Sequence, residues 1–258
     1  MTDKAFILPE MTWPQAKEAL AQAKVALVPV GSFEQHGPNG TFEVDTGRAY
    51  GFGKRLAARM YPQAVLAPVV NMGVSYHHMN FPGTITLRPE TFMAVVYDVV
   101  WSLHQHGIEK FLILNGHGGN IPSLGVVIVK LREELGVRVA WTSFTSLAQE
   151  VIQERVKSES KGHSCEGEMS QAMVLAPHTV RQEAFVPGEF KGYPYRHLGE
   201  GFNLAYAYRF DEITANGALG DARLASEELG QEIVDTALRM AAEFLDDFIA
   251  DRREDESH

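Results

Sequence analysis

Short, continuous apolar runs recur along the chain, separated by longer stretches with helical period. Val25-Ala-Leu-Val-Pro-Val30 is closed by Gly31, and similar runs return at Val65–Val70, Phe111–Leu114 and Val137–Trp141. Uninterrupted apolarity of this length marks strands buried on both faces. Thr12-Trp13-Pro14-Gln15 reads as a helix start, with a capping threonine, a first-turn proline and a glutamine placed for a capping box; the helix runs to Ala23. Further helices are expected over Thr46–Met60, Pro89–His106 (ended by Gly107), Pro122–Leu135 (ended by Gly136), Glu166–Leu175 (stopped before Pro177) and Asp221–Asp247. Phe81-Pro82-Gly83 is read as a turn into a Thr84–Leu87 strand. Buried strands alternating with helices describe an α/β fold whose mostly parallel sheet is covered on both faces.

Residues 178–220 mix Gly, Pro and aromatics without a clear period and are read as a lid or a subunit contact. With no linker-like composition shift, residues 1–250 are expected to form one domain and 251–258 a charged tail. The formal charge of −10, without a Lys/Arg run, argues against a nucleic-acid partner. Cys165 is the only cysteine, so no intrachain disulfide can form. There is no signal-like N-terminus and no apolar run of membrane-spanning length, so a cytoplasmic protein without membrane contact is expected.

In open α/β sheets, ligands bind beyond the carboxyl ends of the strands. Two loops there carry concentrated chemistry: Gly31-Ser-Phe-Glu34-Gln-His36-Gly37, followed by Asp45, and Asn115-Gly-His117-Gly-Gly-Asn120. Glu34 and His36, two residues apart, share one side of an extended segment. With Asp45 and His117 they make a mixed carboxylate and imidazole set that suits zinc, manganese or iron(II) and suits calcium poorly. A carboxylate bridging two ions about 3.5–4 Å apart lets both polarise one water. The plainer alternatives are a surface Glu-x-His pair and a glycine-rich turn or anion-binding helix start. Two further segments hold clustered groups, Lys161-Gly-His163-Ser-Cys-Glu166-Gly-Glu168-Met-Ser170 and Tyr76-His-His78-Met-Asn-Phe-Pro-Gly-Thr84. There, Glu166 and Glu168 could simply favour a helix N-terminus, and the paired histidines could be exposed.

Taken in order, these segments resemble the creatininase-like amidohydrolase family, as does Gly217-Ala-Leu-Gly220-Asp-Ala…Ala225-Ser226…Gly230; the likeness runs from about Trp13 to Gly230. The resemblance implies a three-layer α/β/α fold, a homohexamer, and two divalent metal ions per chain (zinc, manganese or iron(II)) acting on a small-molecule substrate. The usual reaction is hydrolysis of the C–N bond of a cyclic amide or formamide. By position, Glu34 and His117 would hold one metal, His36 the other, and Asp45 would bridge. His163 would carry protons, and His78 would face the substrate.

Two departures follow. Creatininases proper have Tyr and Glu after the loop histidine, the Glu binding the second metal, where this chain has Gly118 and Gly119. Glu166 is expected to supply the missing carboxylate, and Glu168 to orient a ligand imidazole. The family's pocket tryptophans have no match in Trp13, Trp101 or Trp141, which argues against creatinine itself. Hydrolytic ring opening of a keto-inositol is the alternative reaction, and a non-catalytic metal-binding oligomer the alternative of another class. Tyr193, Tyr195, Arg196 and His197 are candidates for recognising hydroxyls or an acid group.

Overall fold

The computed structural model describes residues 4–159, 162–196, 198 and 206–251. A five-stranded sheet forms from β1 (Phe6–Ile7), β2 (Val25–Val30), β3 (Ala64–Leu66), β4 (Lys110–Asn115) and β5 (Arg138–Ser143). Its order is β1-β3-β2-β4-β5, and every pairing is parallel. The expected run at 65–70 pairs as β3 only to Leu66. Pro68 cannot donate to the ladder, and the chain rejoins β2 at a Val30–Val70 bridge. Residues 84–87 form no strand; Ile85 makes a single antiparallel bridge to Phe33.

Helices cover both faces because alternate residues of each strand point opposite ways. Val25 and Leu27 of β2, with Leu112 and Leu114 of β4, pack with α2 (Val44–Arg59) and α8 (Glu227–Ala250). Ala26, Val28, Phe111 and Ile113 face α3 (Pro89–Gln105) and α4 (Ile121–Leu135), with α1 (Trp13–Gln22) at the edge. The short α5 (Gln149–Arg155) packs on α8, as does α6 (Glu166–Leu175), and α7 (Phe210–Ile213) lies near residues 76–78. The last helix starts later than its acidic approach suggested. Asp221 caps a short 3-10 turn by accepting from the Arg223 amide, and Ser226 caps α8 by accepting from the Leu229 amide at 3.1 Å. Two successive capping residues thus divide what reads as one helix. Among the described residues no helix is long and apolar enough to cross a membrane. Of the charged tail, only Asp251 lies within the described residues, as the C-cap of α8.

From β2 the chain passes to β3 on one side, and later to β4 on the other. The carboxyl ends of β2 and β4, paired at Val30 and Asn115, are therefore a topological switch point where loops diverge and leave a crevice.

Candidate metal centre

The loop after β2 brings Glu34, Gln35 and His36 to this crevice, and the loop after β4 brings His117. Helix α2 begins at Val44, which puts Asp45 in its first turn, facing the same crevice. All four predicted metal ligands are almost fully buried: Glu34 1%, His36 0%, Asp45 2% and His117 5% exposed.

Which ring nitrogen carries a proton follows from its partners. His117 Nε2 lies 3.0 Å from the Val74 carbonyl oxygen, to which it donates. That leaves Nδ1 bare, 3.2 Å from both Glu34 Oε1 and Asp45 Oδ2. His36 repeats the arrangement. Its Nδ1 donates to the Glu34 carbonyl at 3.2 Å, and its Nε2 faces Asp45 Oδ1 at 3.3 Å and Glu168 Oε2 at 3.8 Å. Asp45 thus presents one oxygen to each imidazole. Two lone-pair nitrogens aimed at carboxylate oxygens repel them unless a proton or a metal ion lies between. Two ligands about 2.0–2.2 Å from one ion and at right or tetrahedral angles sit about 3.0–3.5 Å apart, which matches the distances around His117 and slightly undershoots those around Glu168. Glu34 Oε2 and His36 Nε2 are buried without a hydrogen-bond partner, the expected mark of atoms whose partner is an ion. The donor set therefore fits divalent metal binding.

The cluster's charges show the same demand. Burial alone would raise the Glu34 and Asp45 carboxyls, but the imidazoles beside them hold both well below the usual carboxylate range. Burial alone would lower His36, yet Asp45, with Glu168 and Glu34, pushes it up to about 9; Glu34 and Asp45 likewise push His117 well above its ordinary value. The two imidazoles take up protons where cations are called for. His78 and His163 are driven down by burial, and His77 to about 4.

Helix α6 presents two carboxylates in opposite directions. Glu168 lies beside His36; its Oε1 accepts from Arg48 Nη1 at 2.6 Å and its Oε2 from the Ser164 amide at 2.6 Å. Glu166 does not reach the cluster. Its Oε2 accepts from the Lys157 and Ser158 amides at 2.8 and 2.9 Å, tying down the segment before α6. The expectation that Glu166 complements the second metal site is therefore corrected by geometry. Two residues along a helix turn a side chain by about 200°, so only one of this pair can face the crevice.

The structure brings together Glu34, His36, Asp45, His117, His78, His163 and Glu168, with Glu166 left outside. Sequence reasoning missed Arg48, which donates to Asp45 and Glu168 from α2, one turn after Asp45. It also missed Gln35, the middle residue of Glu-x-His, and His77, which stacks on His117 with ring centroids 5.6 Å apart. A cleft of about 890 Å³ opens above the cluster, walled by Tyr76, Tyr193, Tyr206, Tyr208, Arg209 and Phe210. Of the recognition candidates only Tyr193 lines it; Tyr195 and Arg196 do not, and His197 lies outside the described residues. No tryptophan lines the cleft. Gly119 is not a ligand position with its side chain trimmed away: a Cβ there would overlap the Val74 carbonyl oxygen and His117 Nε2.

A parallel α/β/α sandwich with clustered carboxylates and imidazoles at its switch point defines a metal-dependent hydrolase. The non-catalytic alternative is set aside. The sequence profile of the creatininase family, described as creatinine amidohydrolase, matches residues 9–245, and the chain belongs to that family. It is 28% identical over 259 residues to the 3-dehydro-scyllo-inosose hydrolase of Thermotoga maritima, covering 88% of this chain and 78% of that one. It is 27% identical over 239 residues to the mycofactocin precursor peptide peptidase of Mycobacterium tuberculosis (strain H37Rv), covering 85% of each. Among solved structures it superposes on a mutant creatininase of Zn-Zn type with a TM-score of 0.78 at 24% identity, over 95% of this chain and 99% of that one; a manganese form of creatininase gives 0.77.

Proposed function

We propose that the chain uses two divalent ions to hydrolyse a bond beside a carbonyl in a small polar substrate, in first place the C–N bond of a cyclic amide or formamide other than creatinine. The observation that carries the two-ion reading is Asp45, whose Oδ1 and Oδ2 each face a different imidazole nitrogen left bare by a carbonyl behind it. Glu34, His117 and Asp45 would hold one ion, and His36, Asp45 and Glu168 the other. Zinc, manganese and iron(II) all suit such a mixed set. When bound, a pair of ions supplies Lewis acidity to a carbonyl and an activated water near neutral pH.

The chain's own groups do the rest. Arg48 and the Ser164 amide fix the Glu168 carboxylate, and Ser32 Oγ donates to Asp45 Oδ2 at 2.7 Å, so the ligands are held before any ion arrives. His163 lies at the cleft floor, its Nδ1 3.6 Å from Glu34 Oε1, where it can take a proton from water and return it to a leaving group. His78 Nε2 lies 3.5 Å from the same oxygen and faces the substrate side. The tyrosine wall offers rings and hydroxyls to a polar substrate.

Hydrolytic ring opening of a keto-inositol is the second reading. The Thermotoga maritima relative favours it, as does the wall of Tyr193, Tyr206 and Tyr208, whose rings and hydroxyls suit a hydroxylated ring. The deciding experiment screens lactams, formamides and keto-inositols with protein reconstituted separately with zinc, manganese and iron(II). Turnover of a lactam or formamide supports the first reading, and turnover of a keto-inositol alone replaces it with the second. Metal content clearly below two ions per chain in the active form overturns the two-ion reading. We further take residues 1–250 to act as one domain within a cytoplasmic homohexamer, with part of residues 178–220 serving as lid or subunit contact. A monomeric mass by sedimentation at micromolar concentration contradicts the assembly.

A further inference from the structure

Gln35 lies between the two ligands of the Glu-x-His motif and holds neither ion in the assignment above. Its side chain is 7% exposed and its amide orientation is fixed by its partners. Oε1 accepts from the Gly37 amide at 2.6 Å, so the other terminus is the NH2 group. That group donates to the Gly217 carbonyl at 2.9 Å and to His78 Nδ1 at 2.8 Å, which uses both of its hydrogens. Gly217 has a φ of +82°, and a Cβ there would overlap the Gln35 amide, so the turn near the chain's end closes directly over this group.

Two imidazoles take their protonation pattern from this one residue. His78 Nδ1 accepts from the amide, so its proton sits on Nε2, which points at Glu34 Oε1 from 3.5 Å. His163 Nε2 lies 2.7 Å from the Gln35 backbone carbonyl, where a bare nitrogen would set lone pair against lone pair. It must carry the proton and donate. The 3.2 Å approach of Gln35 Nε2 to the same nitrogen therefore carries no hydrogen bond. His163 Nδ1 is left bare, 3.6 Å from Glu34 Oε1, and the two rings are 4.5 Å apart.

We infer that Gln35 is a positioning residue that locks His163 and His78 in opposite tautomers, placing a proton acceptor and a proton donor side by side at the cleft floor. A hydrolytic step needs this division: one group must accept a proton from water while another offers a hydrogen bond to developing negative charge. Two identical imidazoles free to choose their tautomers would spend much of their time in the unproductive pair. The amide is suited to the task because it donates to one ring while the same residue's carbonyl accepts from the other. The inference rests on the reading of His163 as the proton carrier, but the tautomers can be measured without turnover.

The experiment compares wild type, Gln35→Glu and Gln35→Met, each loaded with zinc, by solid-state nitrogen NMR of protein labelled in its histidines. His78→Gln and His163→Gln spectra assign the signals. In wild type, His78 should show a protonated Nε2 and His163 a bare Nδ1. Gln35→Glu keeps the shape and the Gly37 contact but presents an acceptor to His78, so His78 should move its proton to Nδ1. The backbone carbonyl survives every substitution at this position, so His163 should not change. Metal content should stay at the wild-type level and kcat should fall by about 10–100-fold, the range typical of residues that orient a working group, with KM little affected. Gln35→Met tests the same loss without adding charge and should lower kcat comparably. His78 keeping its wild-type tautomer in Gln35→Glu, or His163 changing with it, overturns the inference. Correct tautomers with no turnover of any substrate would leave this assignment standing and count against the hydrolytic reading alone.

Discussion

Replacing Glu166 or Glu168 with glutamine removes one charge at nearly constant shape, and the structure assigns the two substitutions opposite consequences. Glu166 Oε2 accepts from two backbone amides in a site 2% exposed, so its role is to fix the chain between α5 and α6. A hydrogen bond to a charged acceptor nets about 1.5–3 kcal/mol against about 0.5–1.5 for a neutral one, so glutamine should cost about 1 kcal/mol per bond and about 2 in all. For a chain of this size that lowers Tm by about 4–8 °C, with metal content unchanged. Glu168 stands beside His36 and pairs with the Arg48 guanidinium at 2.6 Å. In the two-ion reading, losing its charge weakens a ligand of the second ion and leaves Asp45, at 3.4 Å, as the remaining carboxylate partner of Arg48, which also donates to Thr145 Oγ1 and Gln171 Oε1. Affinity for that ion should drop by more than the ~10–100-fold typical of losing an outer hydrogen-bond partner, and turnover should drop with it. The assay is metal content by mass spectrometry after dialysis against buffered free zinc, with melting followed in parallel. Loss of an ion from Glu166→Gln, with both retained in Glu168→Gln, would refute the geometric reasoning and restore Glu166 as the ligand.

Asp45→Ala should release both ions, since one oxygen faces each imidazole, whereas His36→Ala should mainly deplete one; full occupancy in Asp45→Ala, measured the same way, contradicts bridging. Gly119→Glu should not rebuild a creatininase-type ligand, because its Cβ would meet the Val74 carbonyl; the expected result is lower Tm and no gain in second-ion affinity, whereas Gly118→Ala, with open space at its Cβ, should melt and bind metal like wild type. Chelation should lower Tm, and restoring zinc to 100 times its Kd should regain about 2.7 kcal/mol for each site filled, since ions that bind only the folded chain stabilise it; a Tm indifferent to chelator would count against the buried metal cluster.

The layered fold was legible in the sequence because its signals are local. Val25–Val30 and Phe111–Leu114 are apolar on both faces, which a strand tolerates only at the centre of a covered sheet, and Gly107 and Gly136 mark helix ends as they should. Four members of the cluster were legible too, since Glu34, His36, Asp45 and His117 follow buried strands or open a helix, and the ends of parallel strands converge. Direction was the part the sequence could not supply. Whether Glu166 or Glu168 faces His36 depends on the rotation of α6 about its own axis, which is set by packing on α2 and α8 and by the amides of Lys157 and Ser158. Nothing local marks Arg48 as the clasp on two carboxylates, or Gln35 as the partner of two imidazoles more than forty residues away in the chain. Apolar periodicity records which face of an element is buried; the partner of a buried polar atom is fixed only when distant segments meet and each atom must find a donor, an acceptor or an ion.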